Sequence, residues 1–186
     1  MARSLVLLLP LLLHGGVPHL GNDSGPEPDI ISFGFTVPKE PNMLFYLQRS
    51  PNENTIIYAL KLTTEGTIPK EHPIDVYWRR YQEDGRRAEL DFIQRTFAYG
   101  VRTKDLGDKI EIRCIGYDKI PIYVYKHRIG SQPHRAMMVV NERAMVLERI
   151  FLQINGGTFW FPNIEYAEFT GSDPVTGTPL VERFKR

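Results

Sequence analysis

The chain has 186 residues, 42% of them hydrophobic and 24% charged, which is the length and composition of one globular domain with a real core. Its 23 basic and 22 acidic side chains leave a formal net charge of +1. That balance creates no field to draw in nucleic acid or an anionic surface, so nucleic acid is excluded as an expected partner.

The first residues read as an export signal. Arg3 supplies a positive start, and residues 5–13 form an apolar run broken only by Pro10. A polar stretch carrying Gly and Pro follows. Such a run is shorter than the roughly 20 apolar residues of a spanning helix, so residues 1–21 are expected to be a signal peptide. No transmembrane segment is expected in the mature chain. Residues 22–29, with Gly25, Pro26 and Pro28, are expected to be a linker. A single domain is expected over residues 30–186.

From there the pattern is mostly period two, as half-buried strands require. Residues 43–49 and 54–62 make a first pair around Ser50-Pro51-Asn52-Glu53, a turn-forming connection. Ile56, Tyr58, Leu60 and Leu62 fall on one side of the second run. Residues 74–81 follow, with Ile74, Val76 and Trp78 on one face and Asp75, Tyr77, Arg79 and Tyr81 on the other. Asp84-Gly85 marks the next turn.

Residues 88–98 break the alternation. Leu90, Ile93 and Phe97 recur at helical spacing, and Gly100 stands just beyond, where a helix often leaves through positive φ. One short amphipathic helix is therefore predicted, with Trp78 and Phe97 as the large anchors that pack it on the sheet. Strand periodicity returns at 109–117, 122–128, 136–140 and 144–154, with a short run at 158–161. Residues 164–170 and 179–185 flank a final hairpin loop. The resulting expectation is a mainly β fold, an antiparallel sandwich or barrel of roughly eight to ten strands with one short helix.

Chemistry is sparsely written. No nucleophile elbow, zinc-protease helix, P-loop or dinucleotide fingerprint occurs. His72, His127 and His134 are isolated, so no metal is expected, and no cofactor. Cys114, the single cysteine, shares a face with Ile110 and Ile112, where burial would raise its pKa and leave it inert. Ser131 lies near His134 in sequence, which alone orients no base. No catalytic residue is predicted.

The most suggestive groups are aromatic and basic. Tyr77, Arg79 and Tyr81 share one strand face; Tyr123, Tyr125 and His127 share another. If the two converged, they would line a pocket for a ligand with an apolar body and acidic or hydroxyl groups. Covering the solvent side of a sheet is the plainer role for such residues.

Two sets of strings carry a resemblance. One is Asn42–Arg49 with Asn54–Tyr58; the other is Pro73–Trp78 followed by Ile93-Gln94-Arg95 and Phe97-Ala98-Tyr99-Gly100-Val101. Together they resemble an exported bacterial family, of Bacteroidetes type, that is a domain of unknown function. The resemblance implies a periplasmic, envelope-associated or secreted single domain with no established activity. Gln94, Arg95 and Arg49 are its polar members, and a buried arginine would need a carboxylate such as Asp75. The leading expectation is a non-catalytic envelope binding module for a small-molecule or envelope ligand. A hydrolase or transferase with an unrecognised site, or a structural envelope protein, are the alternatives.

Overall fold

The computed structural model describes residues 34–127, 133–158 and 162–185. The export segment, the linker, Ser131 and most of the run 158–161 lie outside them. The described residues all fall in one compact unit, residues 32–186.

Eleven strands form a single sheet: β1 (Met43–Arg49), β2 (Asn52–Leu60), β3 (Ile74–Arg79), β4 (Arg87–Glu89), β5 (Val101–Asp105), β6 (Lys109–Cys114), β7 (Tyr117–Tyr125), β8 (Ala136–Val140), β9 (Arg143–Gly157), β10 (Pro162–Ser172) and β11 (Pro179–Lys185). One short helix, α1 (Phe92–Phe97), is present among the described residues. The mainly β expectation therefore holds, but the antiparallel one does not. β1 runs parallel to β9, with Tyr46 beside Arg149 and Arg49 beside Leu152. Alternation of side chains tells which face a residue takes, not which strand lies next to it. A parallel pairing between distant segments leaves no local signal.

β9 is the spine. Its residues Arg143–Leu147 pair with β8 and Arg149–Leu152 pair with β1. β10 pairs with both stretches, so β8 and β1 must share the opposite edge of β9. The register slips by one residue between them, leaving Glu148 without a ladder position opposite it on β10. Such a bulge bends the strand and splits the ladder. From this fork one branch continues through β2, β3 and β4, the other through β7, β6 and β5. Gly171, opposite the fork, is required by close approach. A Cβ there would lie 2.0 Å from the Val146 carbonyl oxygen.

The branches curl around one apolar interior. Phe45, Ile56, Tyr58, Val76 and Trp78 come from the first, and Ile112, Ile122, Val124 and Met138 from the second. Phe169 and Leu180 of the β10–β11 hairpin complete it. The hairpin β1–β2 matches expectation; in the tight β8–β9 connection Asn141 and Glu142 both take positive φ.

The segment before β1 crosses the outward side of the first branch. Phe35 meets Phe151 of β9, the Thr36 carbonyl accepts from Gln48 of β1 at 2.9 Å, and Glu40 reaches β3. Beneath this strap lies a second apolar group, Tyr46, Ile57, Ala59 and Tyr77.

Residues 87–98 depart from the predicted helix. Its first part is the edge strand β4, and α1 begins only after the N-cap Asp91. Asp91 accepts from the Gln94 amide, while Gln94 reaches back to the Asp91 amide, a reciprocal capping box. Leu90 is buried, but Phe97 and Ile93 point to solvent, so Phe97 is not an anchor. Gly100 is not at positive φ either. Its hydrogen is needed because a Cβ would lie 1.9 Å from the Arg95 carbonyl oxygen.

Candidate functional site

The two predicted faces differ in fate and do not converge across the interior. Tyr77 and Arg79 alternate with Val76 and Trp78, which point inward, so they lie on the outward side of β3. Tyr123 and Tyr125 likewise alternate with the buried Ile122 and Val124 of β7, on the other branch.

On β3, Glu40 of the strap occupies the fork of Arg79. Its two oxygens accept from Arg79 Nε at 2.6 Å and Nη2 at 2.7 Å, and Oε2 also accepts from the Tyr77 hydroxyl at 3.1 Å. The Arg79 hydrogen bonds hold the Glu40 carboxyl below its usual range. Burial first, then the Glu40 carboxylate, pushes the Tyr77 phenol up to about 12. Tyr81 sits half-buried beyond, its phenol also raised by burial. This group fastens the strap. On β7, Lys109 stands over both the Tyr123 and Tyr125 rings, and the His134 ring nitrogen Nδ1 lies 3.0 Å from the Tyr125 carbonyl oxygen. His127 is exposed at the strand's end. A groove of about 580 Å³ is bordered by Glu40, Met43, Leu60, Leu62 and His134, and none of the six predicted residues lines it.

A different cluster has the unspent chemistry. It sits where β1 and β3 end, beside α1. Arg49, the last residue of β1, donates through Nη1 to the Tyr99 hydroxyl at 2.5 Å, and its guanidinium carbon lies 5.4 Å from the centroid of Trp78 and 5.6 Å from that of Tyr99. Arg80, one residue past β3, stands 4.9 Å from the Trp78 centroid. It is set there by the loop it opens, in which its carbonyl accepts from Glu83 and Gly85. The indole thus carries two guanidinium groups.

The frame around them is satisfied. Trp78 Nε1 donates to Gln94 Oε1 at 3.0 Å, so the side chain that caps α1 also ties the helix to the core. The buried Tyr58 hydroxyl donates to the Tyr99 carbonyl at 3.0 Å, and Trp78 meets Tyr99 edge-on. Burial raises the Tyr99 phenol despite the pull of Arg49, which keeps it a neutral hydroxyl. Cys114 lies nearby, facing inward as expected, and burial pushes its thiol up to about 12.

The cations are not satisfied. Among the described residues no carboxylate pairs with Arg49 or Arg80, although Arg79, Arg86, Arg87, Arg113 and Arg183 each have one within 3.1 Å. Asp75, offered as an example of the carboxylate a buried arginine would need, lies on the outward face and pairs with Arg87 at 3.1 Å. Arg49 Nε is buried with no hydrogen-bond partner. Buried donors are almost always paired, so an orphan on a charged group marks either strain or a missing acceptor. The arrangement can grip an anion: guanidinium forks for its oxygens, a hydroxyl beside them and aromatic walls for an attached apolar body.

Every residue of that cluster lies within a segment that matches a family profile. The chain belongs to the family described as Domain of unknown function (DUF4833), matched over residues 45–183. Neither a curated protein nor a solved structure matches it. The strings that carried the resemblance contain Arg49, Trp78, Gln94 and Tyr99, so the family segment supplies the cluster. Glu40 and the rest of the strap precede it.

Sequence reasoning reached Arg49, Gln94 and Trp78, but the carboxylate it offered for a buried arginine, Asp75, serves Arg87 instead. It missed Arg80 and Tyr99 as members. Arg80 adjoins Arg79 at the end of a strand, and only its position 4.9 Å from the Trp78 ring centroid distinguishes it. Among the described residues no three His, Cys, Asp or Glu side chains gather as metal ligands.

Proposed function

We propose that the chain is an exported, non-catalytic binding module that holds the anionic group of a ligand between Arg49 and Arg80, against Trp78 and Tyr99. The observation that carries this reading is the pair of arginines on one indole with no carboxylate partner among the described residues, one of them with a buried, unpaired Nε. Each guanidinium carbon stands within 5.4 Å of the Trp78 centroid, and an anion there would answer their charge while filling the orphan donor. Export rests on Arg3 and the apolar run at residues 5–13.

Trp78 is its own reporter. The chain has two tryptophans, so Trp160→Phe leaves Trp78 as the single indole. Titrating that protein with inorganic phosphate and with benzoate should give a saturable change in emission, and Arg80→Ala should weaken it about tenfold, the worth of one charge-assisted hydrogen bond. Emission that stays flat with both anions would remove the site. For export, the N-terminus of the protein recovered from fractionated cells should begin near residue 22; intact Met1 in the cytoplasm would overturn that part.

A further inference from the structure

Trp78 is only 1% exposed, so it orients the two guanidinium groups but gives a ligand no surface of its own. The apolar surface open beside them is on α1. None of its six residues is buried, and Phe97 is 68% and Ile93 41% exposed. Gln94 marks the inward side of the helix, because its side chain bonds Trp78. At about 100° per residue, Phe97 lies about 60° and Ile93 about 100° from Gln94, on the same flank. One turn apart, with Cβ atoms about 5–6 Å from each other, the two form a single ridge. The other flank carries Arg95, which pairs with Glu89 at 3.5 Å, and Phe92 falls on the far side.

The chain fixes this ridge against the cations. Phe97 stands three residues after Gln94, which holds Trp78, and two before Tyr99, whose hydroxyl takes the Arg49 bond. The C-terminal end of α1 is therefore the end that adjoins Arg49. The polar part of the cluster offers donors. The Tyr99 oxygen accepts from Arg49 while burial keeps the phenol protonated, and among the described residues nothing accepts its hydrogen. Arg49 Nε is a second donor without an acceptor. Such a set suits a group that only accepts, as an ionised acid does. A bare inorganic anion would answer the donors and leave the ridge in water.

Resting on the reading above, we infer that the ligand is a small organic acid whose apolar body, about one ring in length, lies along Ile93 and Phe97. The continuity of that ridge with the unfilled donors of Arg49 and Tyr99 is what supports it.

The test compares acids that share a headgroup and differ in the body. In the full chain carrying Trp160→Phe, Trp78 emission is titrated with inorganic phosphate against cyclohexyl phosphate, and with acetate against cyclohexanecarboxylate. The ring should tighten binding about tenfold in at least one pair, the worth of covering part of one apolar side chain. Ile93→Ser with Phe97→Ser should bring the two members of that pair within about twofold of each other, with the parent anion bound as before. Phe92→Ser, on the far side of the helix, should leave the tenfold gain in place. No gain from the ring in either pair, or a gain that survives Ile93→Ser with Phe97→Ser, overturns the ridge and leaves the anion site standing. Loss of the parent anion in that double variant also overturns it, since the two residues would then be holding the cluster together. Should none of the four acids move Trp78, both readings fall.

Discussion

Arg79 and Arg80 are neighbours in sequence and opposites in environment. Arg79 turns to the outward face of β3, where Glu40 fills its fork and Tyr77 completes the network. Arg80 lies past the end of the strand and joins Arg49 around Trp78, with no acid among the described residues to answer either charge. The first cation is consumed in holding the strap to the sheet. The second pair is held by the Trp78 ring and, for Arg49, by the Tyr99 hydroxyl, which leaves the buried Arg49 Nε without an acceptor. A basic and aromatic composition is therefore not what distinguishes a binding surface from a structural one; the presence of the counter-charge is.

Substitutions should separate the two regions. The largest effect is expected from Trp78→Ala, which empties the interior beneath both Arg49 and Arg80 and should cost about 4 kcal/mol, read as a fall in urea midpoint. Arg79→Met comes next. It strands Glu40, whose side chain is only 8% exposed, and should cost about 2 kcal/mol. Arg49→Met should do the reverse in kind: it removes an orphaned buried donor, so stability should stay within about 1 kcal/mol or rise, while the Trp78 response to phosphate disappears. A large loss of stability in Arg49→Met would make that cluster structural after all. The smallest effect belongs to Phe92→Ser, within about 0.5 kcal/mol, because the side chain is exposed.

Acid offers another way to separate them. The Glu40 carboxyl is depressed below 4.5, chiefly by the Arg79 hydrogen bonds, so its contribution is present above that value and is lost as pH falls through the lower folded one. Wild type and Glu40→Gln should therefore differ in urea midpoint at neutral pH and converge as the pH is lowered past the ordinary carboxylate range. A constant difference down to the acid limit would show that the contribution of Glu40 does not come from its charge.

Much of the β structure was legible because period-two burial is a local property. The inward sets Ile56, Tyr58, Leu60 and Ile74, Val76, Trp78 were readable from alternation, as was the inward Cys114. The helix was misread at its edges for a related reason. Leu90, Ile93 and Phe97 have helical spacing, but spacing cannot say that Leu90 belongs to the end of a strand while Ile93 and Phe97 face solvent. The true start signal was Asp91 with Gln94, the capping box. β4 and β5 went unseen because three residues give too short a pattern, and because Arg102, Thr103, Lys104 and Asp105 are all exposed and carry no alternation.

By itself the sequence determined the mainly β class, most strand positions and the two faces of each strand, since these follow from the chemistry of consecutive residues. The mixed sheet, the fork at Glu148 and the parallel contact of β1 with β9 were decided only in the folded chain, where segments about 100 residues apart meet. So was the difference between Arg79 and Arg80. Charge pairing depends on what the fold places within a few ångströms, and Glu40 is brought to one arginine and not to its neighbour.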